Sequence, residues 1–168
     1  MEDCVKFRCS SSKQCGFSLI ELLVVVAIIL IVAAIGVPQY LKSRMVANEA
    51  AASSALRTIA SMNVVYSSTY QNGFAPSLVA LGPSGGAPSS ASADLIDGLL
   101  AGGTRNGYTF SYVATINAGS GTYETFTVNA DPTTLGVTGQ RYFYVDQTNV
   151  LRFNLGGQAN ASSQPVPK

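Results

Sequence analysis

The residue whose type and position most suggest chemistry is Glu21. It is the one charged side chain between Phe17 and Gln39, and it abuts residues 22–37, LLVVVAIILIVAAIGV, which contain no charge and no strongly polar group. A carboxylate one turn inside such a segment costs roughly 2.5–3.5 kcal/mol to insert into a bilayer. It must stay wet at an interface or meet a cation when water leaves. That is charge-pairing chemistry rather than bond-making.

Other reactive residue types are scarce. The 168 residues include no His, which removes the commonest general base and metal ligand. Cys4, Cys9 and Cys15 all precede the apolar run, with four and then five intervening residues. That spacing without His is a poor metal pattern. No P-loop, no GxGxxG after a strand and no nucleophile elbow is present. An enzyme is therefore not expected, and neither is a cofactor. Asp94 and Asp97 are candidates for Ca²⁺ together with loop carbonyls, against the alternative that they cap a helix. Arg105, Arg141 and Arg152 beside tyrosines offer contacts to DNA backbone and bases, against the alternative of a solvated sheet face.

Composition narrows the class. Charged residues are 11% of the chain, net charge is +1 and mean hydropathy is +0.26. A soluble domain averages about 25% charged, and a strongly basic nucleic-acid binder is excluded on bulk charge. The excess hydrophobicity sits in residues 17–37. As a helix these 21 residues span roughly 31 Å, which matches a hydrocarbon core of about 30 Å.

Three readings of this segment compete. It is a secretory signal cleaved beyond the run near Ala34 and Gly36, releasing a soluble domain; a plain membrane anchor; or a segment retained after cleavage on its near side. Glu21 favours retention, because a disposable signal has no use for a costly carboxylate.

Residues 16–26, GFSLIELLVVV, complete a pattern: a short basic leader, Gly then Phe, Glu four residues later, an uninterrupted apolar run, and Pro38. This pattern resembles the class III signal of type IV pilins and type II secretion pseudopilins, strongly over about residues 13–60. The resemblance implies cleavage between Gly16 and Phe17 by prepilin peptidase and N-methylation of Phe17. It implies that Glu21 neutralises the Phe17 amine of a neighbouring subunit during assembly. The implied partners are that peptidase and methyltransferase, an inner-membrane assembly platform, membrane lipid before assembly, and further copies in a homo-oligomeric filament. The precursor would sit in a bacterial inner membrane and the product in an extracellular pilus. Alternatives are a pseudopilin in a periplasmic filament, and a minor pilin that binds DNA or surfaces.

Removal of the leader 1–16 would leave 152 residues, no Cys, and seven acidic against seven basic side chains. Residues 17–38 are expected to form the transmembrane or filament-core half of a helix. Gly36 and Pro38 predict a kink near its end, and the resemblance implies that this stretch can unwind in filaments.

Residues 39–73 continue as an amphipathic half-helix, with Leu56, Ile59, Ala60, Met62, Tyr66 and Tyr70 at helical spacings and Asn72-Gly73 as its stop. Residues 74–106 read as a variable loop with short helices, one started near Pro76-Ser77 and one capped by Asp94. Residues 107–155 contain four strand signals: 108–116, 122–130, 141–145 and 150–155, with 146–149 as a hairpin turn. Residues 156–168 read as an exposed tail bearing an Asn160-Ala161-Ser162 sequon. The expected fold is α+β: a long N-terminal hydrophobic α-helix packed on a four-stranded antiparallel sheet, which is the pilin fold.

Overall fold

A computed structural model describes residues 17–167. The leader 1–16, with Gly16 and the three cysteines, lies outside the described residues. The chain divides into two units at the Gln39–Tyr40 bond, taken here in turn.

The first unit is the beginning of helix α1, Leu19–Tyr70. Its residues are Leu, Ile, Val and Ala on every side, so it has no polar face. α1 stays helical through Gly36 and carries Pro38 within it. An interior proline removes one backbone hydrogen bond and crowds the carbonyl four residues back, here that of Ala34, yet the helix runs on to Tyr70.

In the second unit, α1 acquires two faces. Ala52, Ala55, Leu56, Ile59, Ala60, Asn63 and Tyr66 are buried, which is the spacing of a single helical stripe. They pack on one face of an antiparallel sheet in sequential order: β1 Thr104–Arg105, β2 Tyr108–Ile116, β3 Tyr123–Pro132, β4 Tyr142–Asp146, β5 Arg152–Asn154 and β6 Gln164–Pro165. Tyr108, Phe110, Phe126, Val128, Ala130, Phe143 and Val145 supply the sheet's side of the core. Thr109, Ser111, Val113 and Thr115 alternate with them and face solvent, as the period of two requires.

The sheet thus has six strands where the sequence suggests four. The additions, β1 and β6, are two residues each, too short to show a period. Their existence depends on partners: Thr104 faces Thr109 across the ladder, and Gln164 faces Phe153. Pro165 suits β6 because an outermost strand needs no donor on its outer side.

The C-terminal segment is also more than a tail. Ala159 is buried and Val166 packs against the core. Arg152 donates to the Ser163 carbonyl at 3.0 Å, Asn129 to the Ala159 carbonyl at 3.5 Å, and Gln158 to Asp131 Oδ2 at 3.1 Å. Low-complexity polar sequence hid these tethers, since each reaches a residue distant in sequence.

Between helix and sheet, α2 Leu78–Leu81 begins at Ser77, which caps it. α3 Gly98–Ala101 is capped by Asp97, and not by Asp94 as expected: Asp97 Oδ1 accepts from the Leu100 N–H at 3.0 Å, while Asp94 sits at φ +55°. The stop of α1 also differs. Gln71 takes the left-handed conformation directly after Tyr70, and Gly73 has a separate task. At φ +77° Gly73 bridges to Tyr123, whose backbone would collide with any Cβ placed there.

Candidate functional site

The first unit holds the candidate site. Every residue from Leu19 to Gln39 is exposed, Phe17 with them. The best 18-residue window has a mean hydropathy of 3.1 and no buried residue, so α1 is long and apolar enough to cross a membrane. A face this large has no reason to remain in water. At about 25 cal/mol per Å² of apolar surface, covering it with lipid or with other helices is strongly favourable.

Glu21 lies in the first turn of α1, where a negative charge is favoured by the helix dipole. Its Oε2 accepts from the Ser18 backbone N–H at 3.2 Å. Ser18-Leu19-Ile20-Glu21 has the spacing of a capping box, in which the fourth residue reaches back to the cap. Sequence reasoning overlooked this local role, although the S-x-x-E signal was present. The bond brings the carboxylate back to the residue after Phe17. An ammonium on Phe17, were the preceding peptide bond cut, would stand one residue from it along the chain.

The second unit is a scaffold whose polar groups are mostly spent internally. Arg105 pairs with Asp97 at 2.7 Å. Arg141 meets Glu49 at 3.5 Å and lies 5.3 Å from the centre of the Phe153 ring. Arg152 holds Ser163. The three arginines therefore serve separate structural contacts. Asp97 is committed to its cap and to Arg105, apart from Asp94. Among the described residues no group of three or more His, Cys, Asp or Glu gathers as a metal site.

Three further residues escaped sequence reasoning. Asn63 is fully buried within the apolar stripe of α1; a polar residue four after Ile59 and three before Tyr66 was the available signal. Glu49 accepts from the backbone N–H groups of Gln140 (2.8 Å) and Arg141 (3.3 Å), clamping a distant loop to the helix. Asp131 carries a buried Oδ1 with no partner, and burial pushes its carboxyl above the ordinary value. Burial likewise raises the phenols of Tyr108 and Tyr112.

Residues 11–37 match the family model described as the prokaryotic N-terminal methylation motif. No curated protein and no solved structure matches the chain. The matched motif is typical of type IV pilin and pseudopilin signal peptides, and in this chain it runs from before the expected cleavage point through the exposed apolar part of α1.

Proposed function

We propose that this chain is the structural subunit of a type IV pilus-like filament, made as a precursor and held in the inner membrane by α1. Processing between Gly16 and Phe17 and methylation of Phe17 precede assembly. The observation that carries this reading is one helix with two different halves. Residues 22–37 are apolar and wholly exposed, while buried residues between Ala52 and Tyr66 of the same helix pack on a sheet. Such a helix offers an adhesive apolar stretch to other copies of itself. Bundling many such stretches removes their surface from water and supplies the assembly energy. Glu21 sets register: once buried, its carboxylate needs a cation, and the Phe17 amine of the adjoining copy is that cation. Methylation leaves the amine basic, so the pair survives it. Gly36 and Pro38 are the places where α1 yields if the packed helices must lengthen or bend.

Intact-mass measurement of the protein from its native host tests the reading. A methylated terminus at Phe17 supports it, and a chain beginning at Val37 would falsify it in favour of a released soluble head. Immunolabelling of sheared surface filaments then separates a pilus from a periplasmic secretion filament.

A further inference from the structure

Within the second unit, two cavities line the flank of α1 and share Val166 as a wall. One, of ≈ 290 Å³, lies against Arg57, and the other, of ≈ 180 Å³, lies against Val46, Ala50 and Ser53. These helix positions recur at intervals of three and four residues, so they form one stripe. From Val46 to Arg57 the stripe is about 16 Å long. The facing wall comes from the β4–β6 edge of the sheet: Phe143 of β4, Leu151 just before β5, and Pro165 and Val166 at β6. Phe143 and Leu151 are buried, whereas Val46 is 65% and Val150 37% exposed at the groove's edges. Together the two cavities make one apolar groove beside the helix.

The groove is electrically quiet. Glu49 is the one acid that lines it, and its carboxylate is spent on Arg141 and on two backbone N–H groups. Asp146, in the turn before Asn149, is buried and bonded to Thr148 and Tyr144. Arg57 is exposed and has no ion-pair partner among the described residues. A charged partner segment would find that one cation alone to answer it. An uncharged segment leaves Arg57 in water and meets the apolar floor.

The chain carries a segment of that kind. Residues 22–37 hold no charge, are all exposed and are helical. An assembly that grows without closing needs two different surfaces on each copy, because heterologous contacts build open filaments whereas isologous contacts build closed pairs. Residues 22–37 are one such surface, and the groove supplies the other. It is apolar, as that stretch requires, and Ala50 and Ser53 on its wall are small enough for a second helix to approach closely. Three other surface cavities are lined mainly by amide, hydroxyl and glycine residues. We infer, on the reading that copies assemble into a filament, that the groove between α1 and the β4–β6 edge receives residues 22–37 of a second copy.

Cys4, Cys9 and Cys15 all precede Gly16, so a subunit cut after Gly16 carries no thiol and introduced cysteines react without background. Full-length subunit with Ala50→Cys or Val150→Cys is co-expressed in the native host with a second form carrying one cysteine within residues 22–37, each position in turn. Cells are oxidised with copper phenanthroline, and dimers of the processed mass are measured. Dimers should form at positions three or four residues apart, as one face of a docked helix gives. They should exceed by roughly tenfold those formed with Val113→Cys, on the solvent face of the sheet, because contact raises effective concentration. Dimers between two copies cysteine-substituted within 22–37, with none to 50 or 150, overturn the groove and leave the filament reading intact. Absence of dimers even between such copies overturns the filament reading and the groove with it. Pairing that appears only when both cysteines sit in one chain overturns a second copy as the occupant. Dimers as abundant with Val113→Cys as with Ala50→Cys and Val150→Cys mark random collision and overturn the groove.

Discussion

Asn63 Oδ1, buried in the middle of the helix–sheet interface, accepts from the Tyr112 hydroxyl at 2.9 Å and from the Ala75 N–H at 3.1 Å. The same hydroxyl lies 2.7 Å from the Ala75 carbonyl, so its one proton is shared between two acceptors. Asn63 Nδ2 returns to the Ile59 carbonyl at 3.1 Å. One amide thereby joins α1, β2 and the loop after α1. Asn63→Leu would leave the Ala75 N–H buried without a partner, at a cost of about 1–3 kcal/mol. Tyr112→Phe leaves the Asn63–Ala75 bond in place and should cost about 0.5–1.5 kcal/mol. Urea unfolding of the intact subunit in detergent, followed by tyrosine circular dichroism, checks the order. Equal effects would show that the node does not work through Ala75.

Gly73 closes the other side of that loop. An alanine there would have to hold φ near +77° and would meet the Tyr123 backbone. The conformation alone costs roughly 1–2 kcal/mol, and the collision must be relieved by parting the Gly73–Tyr123 bridge. Gly73→Ala should lower the unfolding midpoint by more than the conformational cost implies. Gly86→Ala, in open space in the adjoining loop, should leave the midpoint unchanged and serves as the control.

Two pH effects follow from burial, with opposite positions on the scale. The Asp131 carboxyl is raised in the folded state, chiefly by desolvation, against a bond from Gln158 that lowers it. The folded chain therefore holds this proton more tightly than the unfolded chain. Stability should rise as pH falls through the folded value toward 3.8, the reference value of the free group. Asp131→Asn should be more stable than wild type at neutral pH, and the difference should shrink on acidification. For Tyr108 and Tyr112 the folded phenols are also raised, so their contribution is complete below pH 10.0 and lost as pH rises beyond it. Melting curves from acid to strongly alkaline pH measure both.

The Glu49 clamp predicts a local effect. Glu49→Ala removes the acceptor of two backbone N–H groups and the partner of Arg141. The groups released lie at the surface, where water replaces the bonds, so global stability should fall by only about 1 kcal/mol. Hydrogen exchange should nevertheless quicken selectively across 133–141, because that loop has few other tethers to α1. Uniform quickening through β2 and β3 would refute the clamp.

Which parts of this chain were legible follows from how locally each is encoded. β2 was read at its observed bounds, 108–116, because nine alternating residues need no partner to reveal a period. The Asp146–Asn149 turn was legible for the same reason, with Asn149 at φ +61° and its N–H on the Asp146 carbonyl at 2.9 Å. β1, β6 and the C-terminal tethers were not, since each is defined by a partner elsewhere in the chain. Asp97 rather than Asp94 caps α3 because the helix starts three residues later than composition suggests. At the candidate site, Glu21 was evident as a charge in an apolar run. Its bond to Ser18 is encoded only by the four-residue S-x-x-E spacing, a weaker signal than a charge in an apolar run.

That bond makes Glu21→Gln the sharpest test of the proposed assembly role. Glutamine keeps an oxygen that can accept from the Ser18 N–H, so the start of α1 should remain capped. It removes the negative charge, so it cannot neutralise an ammonium. If Glu21 acts only as a cap, Glu21→Gln should yield filaments like wild type and Glu21→Ala should be the weaker. If Glu21 neutralises the Phe17 amine of the adjoining copy, both variants should be processed, accumulate in the membrane and give few filaments. Glu21→Asp would then recover part of the yield, since it restores charge on a shorter arm. Filament yield by shearing, with precursor cleavage followed by intact mass in the same cells, separates the two roles. The charge role predicts that Glu21→Gln resembles Glu21→Ala, and normal filaments from Glu21→Gln would eliminate it.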